Sequence, residues 1–430
     1  MVIYKQEHEI LPDKFNPYQW NELFNGKQLF KWTEPLKNGD SWSYKTYYRI
    51  GAEWINEENA LVVTTRQNLE NIDFVSMFMS CFDSDIEQDR FSTIYDIDFN
   101  KPRIKSKVLC NVLNPLIVIH FLTIVERIVS KGLKKDYMTK NDNIHKVKGR
   151  IKLIENERKN VVFKRFDWFS CQYDEFTLDN CQNRLIKKAL VFLRSMVHQM
   201  RLHRKYDSIN SKYIKCLSAF DDISDQVEFW EVGNIKTNKL FPEYNEAIRL
   251  AKLILKRCDY SVTKDSDLSE HTPPFWIDMS LLFELYVYGL LRKTYGDSVK
   301  YQEGGVTGYP DFLFVSNTEK LVMDTKYIPR FANTSNNIDT YIVRQLSGYS
   351  RDNKILNRLG YNIENPKSIP VVPCVIIYPC ENSENTLPQE FDKNKTILEQ
   401  STKDDNLLFF YRLRIALPIN NAIQQNVFDC

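Results

Sequence analysis

Two acids and a lysine stand close together between Pro310 and Lys326. The stretch reads Tyr309-Pro310-Asp311-Phe312-Leu313-Phe314-Val315, then a polar Ser316-Asn317-Thr318-Glu319, then Lys320-Leu321-Val322-Met323-Asp324-Thr325-Lys326. Two β-prone runs about a short polar turn predict an antiparallel hairpin. With the turn centred between Asn317 and Thr318, Asp311 falls opposite Asp324, and the two-residue alternation of a strand puts Lys326 on the face of Asp324. Facing carboxylates repel, and a bound divalent cation removes the conflict. Oxygen ligands suit a hard cation such as magnesium, with manganese as a substitute, completed by water and substrate phosphate. A lysine beside it orients the attacking water and stabilises charge developing on phosphorus. The chemistry indicated is phosphodiester hydrolysis; a solvated surface hairpin would accommodate the same three residues.

The neighbouring segments carry further groups of this kind. Residues 281–291 form an apolar helical run that Asp278 can cap, with Arg292 and Lys293 near its C-terminal end. Glu284 is the single charge within that run, and a buried carboxylate needs a partner, either a metal, Lys326 or a structural cation. Downstream, residues 339–349 read as a second helix on which Gln345 and Tyr349, four apart, share a face. An amide and a phenol there can contact a phosphate or orient a carboxylate.

In this order (an acid in a helix, Pro310-Asp311, Asp324-Thr325-Lys326, Gln345 to Tyr349) the chain resembles the PD-(D/E)xK nucleases of the RecB-like branch. More narrowly it resembles the McrC-type subunits of McrBC restriction systems over roughly residues 105–420. That likeness rests on Val147-Lys148-Gly149-Arg150-Ile151-Lys152, on residues 175–187 from Glu175 through Asp179-Asn180 and Asn183-Arg184 to Lys187, on Met279-Ser280-Leu281-Leu282-Phe283, and on the stretch 371–379 ending in Tyr378-Pro379. The resemblance implies a restriction-endonuclease-like core and a magnesium-dependent endodeoxyribonuclease acting on double-stranded DNA in antiviral defence. It implies Asp311 and Asp324 as metal ligands with Glu284 as a third, Lys326 as the catalytic lysine, and Gln345 and Tyr349 as accessory residues. It also implies a partner, a hexameric McrB-like AAA+ GTPase whose GTP hydrolysis the chain stimulates, with activity only in the complex. Two other readings stay open: a catalytically minor activator of such a motor, and a self-sufficient RecB-like nuclease.

The fold expected is mixed α/β (α+β). At 430 residues the chain exceeds one ordinary core. Residues 1–104 are rich in aromatics, including Trp20, Trp32, Trp42 and Trp54, and lean to β-structure, as at 44–50 and 60–65. Residues 105–257 are basic and helix-rich, with helices expected over 113–129, 182–202 and 243–255, and form the expected partner-binding domain. Residues 258–277 read as a linker, and 278–430 as the nuclease domain with later strands over 369–378 and 407–417. A net charge of +2 does not announce a DNA binder. The cations cluster instead between Lys131 and Arg165, where Lys148-Gly149-Arg150 is expected to form a projecting hairpin turn that touches the partner. No G-x-x-x-x-G-K-[ST] loop occurs, so a motor must come from another chain. The charged opening, the scattered nine cysteines and the charges within 113–129 predict a cytoplasmic protein with free thiols and no membrane span.

Overall fold

The structure, a computed structural model, describes residues 2–11, 33–38, 41–55, 57–66, 72–82, 93–98, 101–201, 207–228, 241–261, 271–328, 338–364, 369, 371–380 and 391–418. Trp20 and Trp32 and the stretch 381–390 lie outside them. Residues 1–116 and 267–430 form one compact unit, and residues 117–266 another. The division thus departs from the expected boundaries, because the N-terminal residues share a unit with the C-terminal third.

The first unit begins with β1 (Val2–Gln6), β2 (Thr33–Asn38), β3 (Ser41–Thr46), β4 (Arg49–Trp54) and β5 (Ala60–Thr64). After them come α1 (Phe74–Phe82), β6 (Tyr95–Ile97) and β7 (Ile104–Lys105). β2 and β3 make a hairpin of their own, while β5 lies parallel to β1 and antiparallel to β4. Ala60, Leu61, Val62 and Val63 are all buried, so β5 is covered on both faces, as its unbroken apolar run requires.

Helix α2 (Lys107–Lys131) carries the chain into the second unit. His120 is fully buried there, and burial drives its imidazole down to about 4, which leaves it neutral. Among the described residues no helix is long and apolar enough to cross a membrane. The second unit continues with β8 (Asp136–Ile144), β9 (Arg150–Ile151) and α3 (Leu153–Asn156), which runs into a π-helical turn at Glu157–Val161. β10 (Phe169–Thr177), α4 (Cys181–Arg201), α5 (Asp207–Ala219) and α6 (Glu243–Ser261) complete it. β10 is the central strand, antiparallel to both β8 and β9.

That order corrects the expectation of a Lys148-Gly149-Arg150 hairpin. β8 and β9 do not pair; the residues between them cross the end of β10. Gly149 has φ +69°, and a Cβ there would sit 2.4 Å from the Gln172 carbonyl oxygen, so the backbone lies flat on β10 instead of projecting.

The chain then returns to the first unit. β11 (His271–Thr272) pairs with β7, and β12 (Phe275–Asp278) inserts between β4 and β6, giving the order β1-β5-β4-β12-β6. Most of the described part of the expected linker is therefore ordered structure. Its first residues finish α6, and Phe275, Trp276 and Ile277 are buried strand residues, an apolar run long enough to pair but too short to stand out in the sequence.

Helix α7 (Met279–Tyr295) follows β12 directly, and Asp278 caps it by accepting from the Ser280 and Leu281 amides. β13 (Val299–Tyr301), β14 (Phe312–Val315), β15 (Lys320–Thr325), α8 (Thr340–Tyr349) and α9 (Asn353–Arg358) come next, before β16 (Cys374–Cys380), β17 (Thr402–Lys403) and β18 (Phe410–Ala416). Their sheet runs β13-β14-β15-β16-β18-β17, antiparallel at the start and parallel through β15, β16 and β18. Parallel neighbours need a crossover, and between β15 and β16 it includes α8 and α9. Ile342, Leu346 and Ile355 from those helices, with Leu359 just after α9, pack on Leu313, Val322 and Ile376 of the sheet, each such burial contributing about 1.5–3 kcal/mol.

Candidate active site

The register of β14 and β15 fixes the site. Phe312 pairs with Met323 and Leu313 with Val322, so Asp311, one residue before β14, lies opposite Asp324 as the sequence predicts. Both acids share the face of Leu313 and Val322, which is the face that α8 and α9 cover. Asp311 Oδ2 accepts from the Thr325 amide at 2.6 Å and from the Thr325 hydroxyl at 2.5 Å. The Asp311 amide in turn donates to the Asp324 carboxylate. Asp324 is 1% exposed, and its Oδ2 faces the Lys326 ammonium in an ion pair. Lys326 is anchored by its own amide, which donates to the Ile377 carbonyl at 2.8 Å.

The electrostatics follow from this crowding. Burial, then the charges of Asp324 and Glu284, raise the Asp311 carboxyl well above the usual carboxylate range. Burial also raises Asp324, against the opposing pull of Lys326. For Lys326, burial works to lower the ammonium, but the Asp324 charge and hydrogen bond outweigh it and leave it raised. Two desolvated acids served by one lysine remain short of positive charge, the condition that favours a cation.

Gln345 and Tyr349 reach the same place from α8. The Gln345 amide donates to the Tyr349 hydroxyl at 2.9 Å, and its buried Oε1 has no partner among the described residues. The Tyr349 phenol is raised by burial first and then feels the charges of Asp324, Lys326 and Asp311. Gly308, at φ +134°, makes room for it, since a Cβ there would stand 3.1 Å from the ring. Thus Asp311, Asp324, Lys326, Gln345 and Tyr349 are assembled.

Glu284 is near enough for its charge to act on Asp311, yet it is otherwise engaged. Its Oε1 accepts from the Tyr301 hydroxyl at 2.8 Å and from the Gln302 amide at 2.7 Å. Among the described residues no three His, Cys, Asp or Glu side chains are gathered as a ready-made metal site. Gln302 was not anticipated. It takes φ +46°, and its amide N–H bonds the Asp311 carbonyl at 2.9 Å, a strained link between Glu284 and Asp311. Thr325, the middle residue of the Asp-x-Lys triplet, was also missed, although its position beside Asp324 was visible.

Residues 91–352, well over half of the chain, match the family described as McrBC 5-methylcytosine restriction system component. The chain belongs to the McrBC family. The span matched in this McrBC-family chain includes Glu284, Asp311, Asp324, Lys326, Gln345 and Tyr349. No curated protein sequence matches. Solved structures are similar too, two of them as follows. One is a half-complex of Thermococcus gammatolerans McrB AAA+ hexamers with bound McrC, 17% identical over 97% of this chain and 95% of that chain, with a TM-score of 0.40. The other is the Thermococcus gammatolerans McrBC complex, 16% identical over 68% of this chain and 88% of that chain, with a TM-score of 0.31.

Elsewhere in the McrBC-family span, the residues between Glu175 and Lys187 prove structural. Asp179 holds Arg184 through two hydrogen bonds of 2.8 and 2.6 Å. Asn180 caps α4 at the Gln182 and Asn183 amides, while Asn183 binds the Lys134 and Leu178 carbonyls and accepts from Tyr244. Lys148 lies 3.9 Å above the Tyr173 ring and 3.5 Å from Glu175, and Arg150 begins β9.

Proposed function

We propose that this McrBC-family chain is the nuclease subunit of its restriction system, a magnesium-dependent endonuclease of the PD-(D/E)xK type that cuts double-stranded DNA. The observation that carries the reading is the convergence of Asp311, Asp324 and Lys326 on one sheet face with Gln345 and Tyr349 alongside. Asp311 and Asp324 would hold the metal, with manganese as a substitute, and their desolvated, mutually repelling carboxylates fit a hard cation completed by water and phosphate. When bound, that ion supplies Lewis-acid stabilisation of the phosphoryl oxygens. Lys326, pinned by Asp324, orients the attacking water, and the Gln345–Tyr349 pair fixes the scissile phosphate. Glu284 acts from behind, through Gln302 and the Asp311 carbonyl.

The partner is an McrB-like hexameric AAA+ GTPase, whose GTP hydrolysis the second unit stimulates. In support, the segment around α3 exposes Leu153, Ile154, Val162, Phe163 and Phe166 at 67–76% among Lys152, Lys159, Lys164 and Arg165. Apolar exposure on this scale marks a protein interface. Lys148, Gly149 and Arg150 adjoin it and belong to the same docking surface.

The test is cleavage of duplex DNA in magnesium, with and without an McrB-like AAA+ partner and GTP, for the wild type and Asp324→Ala. Cutting that needs both partner and GTP and disappears in Asp324→Ala is expected. An Asp324→Ala chain that cuts as well as the wild type would remove the hairpin from the chemistry.

A further inference from the structure

The loop of residues 302–310 stands immediately before Asp311 and is built in an unusual way. Exposed loop tips are ordinarily polar and loosely held. This one presents Val306 at 79% exposure and Tyr309 at 67%. It is also firmly braced. The Gly305 amide closes the turn on the Gly308 carbonyl at 2.7 Å. Asp352 Oδ2 accepts from the Thr307 amide at 2.6 Å and hydroxyl at 2.9 Å, and Arg358 donates to the Gly304 carbonyl. Asp352 is itself buried and fixed as the cap of α9. The Tyr309 ring lies across Gly304, where a Cβ would come within 2.3 Å of it. Such bracing presents two apolar side chains to solvent in a set position.

The loop is also continuous with the candidate site. Gly308 packs on Tyr349, and Thr307 lies beside Gly348 of α8. Next to that contact α8 exposes Tyr341, at 74%, and Arg344, with Arg351 exposed just beyond its end. Neither arginine makes an ion pair among the described residues. The nearest acid on the loop, Glu303, faces Lys300 and Arg358. Aromatic and apolar tips set among unpaired arginines are the composition that nucleic acid selects. Arginines take phosphates, aromatics stack on bases, and apolar wedges enter a groove.

We propose that this loop is the groove-contacting element of the nuclease: Val306 and Tyr309 enter the groove of duplex DNA beside the bond to be cut, and Arg344 and Arg351 hold the flanking phosphates. The proposal deepens the nuclease reading and rests on it. Tyr309 is a positioning residue. Its contact with the duplex sets where the backbone crosses Asp311, while the chemistry stays with Asp311, Asp324 and Lys326.

The experiment uses the full chain with its AAA+ partner and GTP, a defined duplex and magnesium, and compares Tyr309→Ala, Tyr309→Phe, Val306→Asp and Asp324→Ala. Tyr309→Ala should raise KM for the duplex by about tenfold with kcat within a factor of two, the scale of one lost groove contact. Tyr309→Phe should restore it. Val306→Asp places a charge at an exposed tip where folding is indifferent, and should weaken binding as much through repulsion from phosphate. Wild-type KM in both Tyr309→Ala and Val306→Asp, with Asp324→Ala inactive, would overturn the loop proposal and leave the nuclease reading standing. Full cleavage by Asp324→Ala would overturn both.

Discussion

The Tyr327 hydroxyl, on the residue next to Lys326, donates to Glu7 Oε2 at 3.2 Å and so ties the first strand's end to the candidate catalytic strand. The Tyr327 ring lies 6.0 Å from both Tyr48 and Phe283, centroid to centroid, and is almost fully buried. Glu7 is 4% exposed, and burial pushes its carboxyl up to about 8. At neutral pH it stays mostly protonated despite the Arg66 charge, and the residue beside Lys326 is held by it.

This protonated glutamate makes stability depend on pH. The unfolded carboxyl releases its proton near 4.5 and the folded one near 8, so between those values the native state binds more protons. Stability attributable to Glu7 therefore falls as pH rises through that window. Glu7→Gln carries no such proton, and its urea midpoint should gain on the wild type from pH 5 to pH 9, by on the order of a few kcal/mol in stability. Parallel midpoints at every pH would show that Glu7 ionises as freely in the fold as outside it.

The opposed carboxylates should show themselves without any cleavage assay. Asp311→Asn removes one charge while keeping an acceptor for Thr325. In EDTA it should be more stable than the wild type by about 1–2 kcal/mol, because the repulsion and part of the desolvation cost vanish. Magnesium should raise the thermal midpoint of the wild type and leave that of the variant nearly unmoved. Equal shifts in both proteins would place the ion somewhere other than Asp311.

A second buried charge pair supports the far edge of the same sheet. Arg412 of β18 donates to Asp404 Oδ2 at 3.0 and 2.6 Å, and Asp404 also accepts from the Asn406 and Leu407 amides. Asp404→Ala strands a buried guanidinium and should cost about 3–5 kcal/mol, read from chemical denaturation. Asp404→Leu with Arg412→Met should recover much of that loss. If the double variant is as unstable as the single one, the amide contacts of Asp404 matter more than its charge.

What could be read in the sequence was local. The hairpin register followed from a four-residue polar turn and a two-residue period, and Asp278 capped α7 because a side-chain oxygen one residue before a helix has free amides to accept from. Long-range pairing left no such trace. Nothing near Phe275 says that it pairs with Ala52, more than two hundred residues earlier, so a central strand read as the end of a linker. The Lys148-Gly149-Arg150 turn failed for the same reason, since β10, which intervenes, is supplied from further along the chain. Glu284 stands out in the sequence as the one charge of an apolar helix and is half-buried in the structure, but its partners are hidden, because Tyr301 and Gln302 carry no motif.

The place of β12 has a consequence for how the chain can be divided. A fragment starting after residue 278 would carry Asp311, Asp324 and Lys326 but leave β12 behind in the partner fragment, between β4 and β6, and so lose the strand that leads into α7. A cut placed before residue 271 instead gives each fragment an unsatisfied edge that the other alone can fill. Two such pieces, co-expressed, should reassemble by strand exchange. Either one alone should aggregate through its open edge. Strands β4 and β6 are therefore inseparable from the folding of the part that carries the candidate site, and gain or loss of that segment in evolution would have to carry β12 with it.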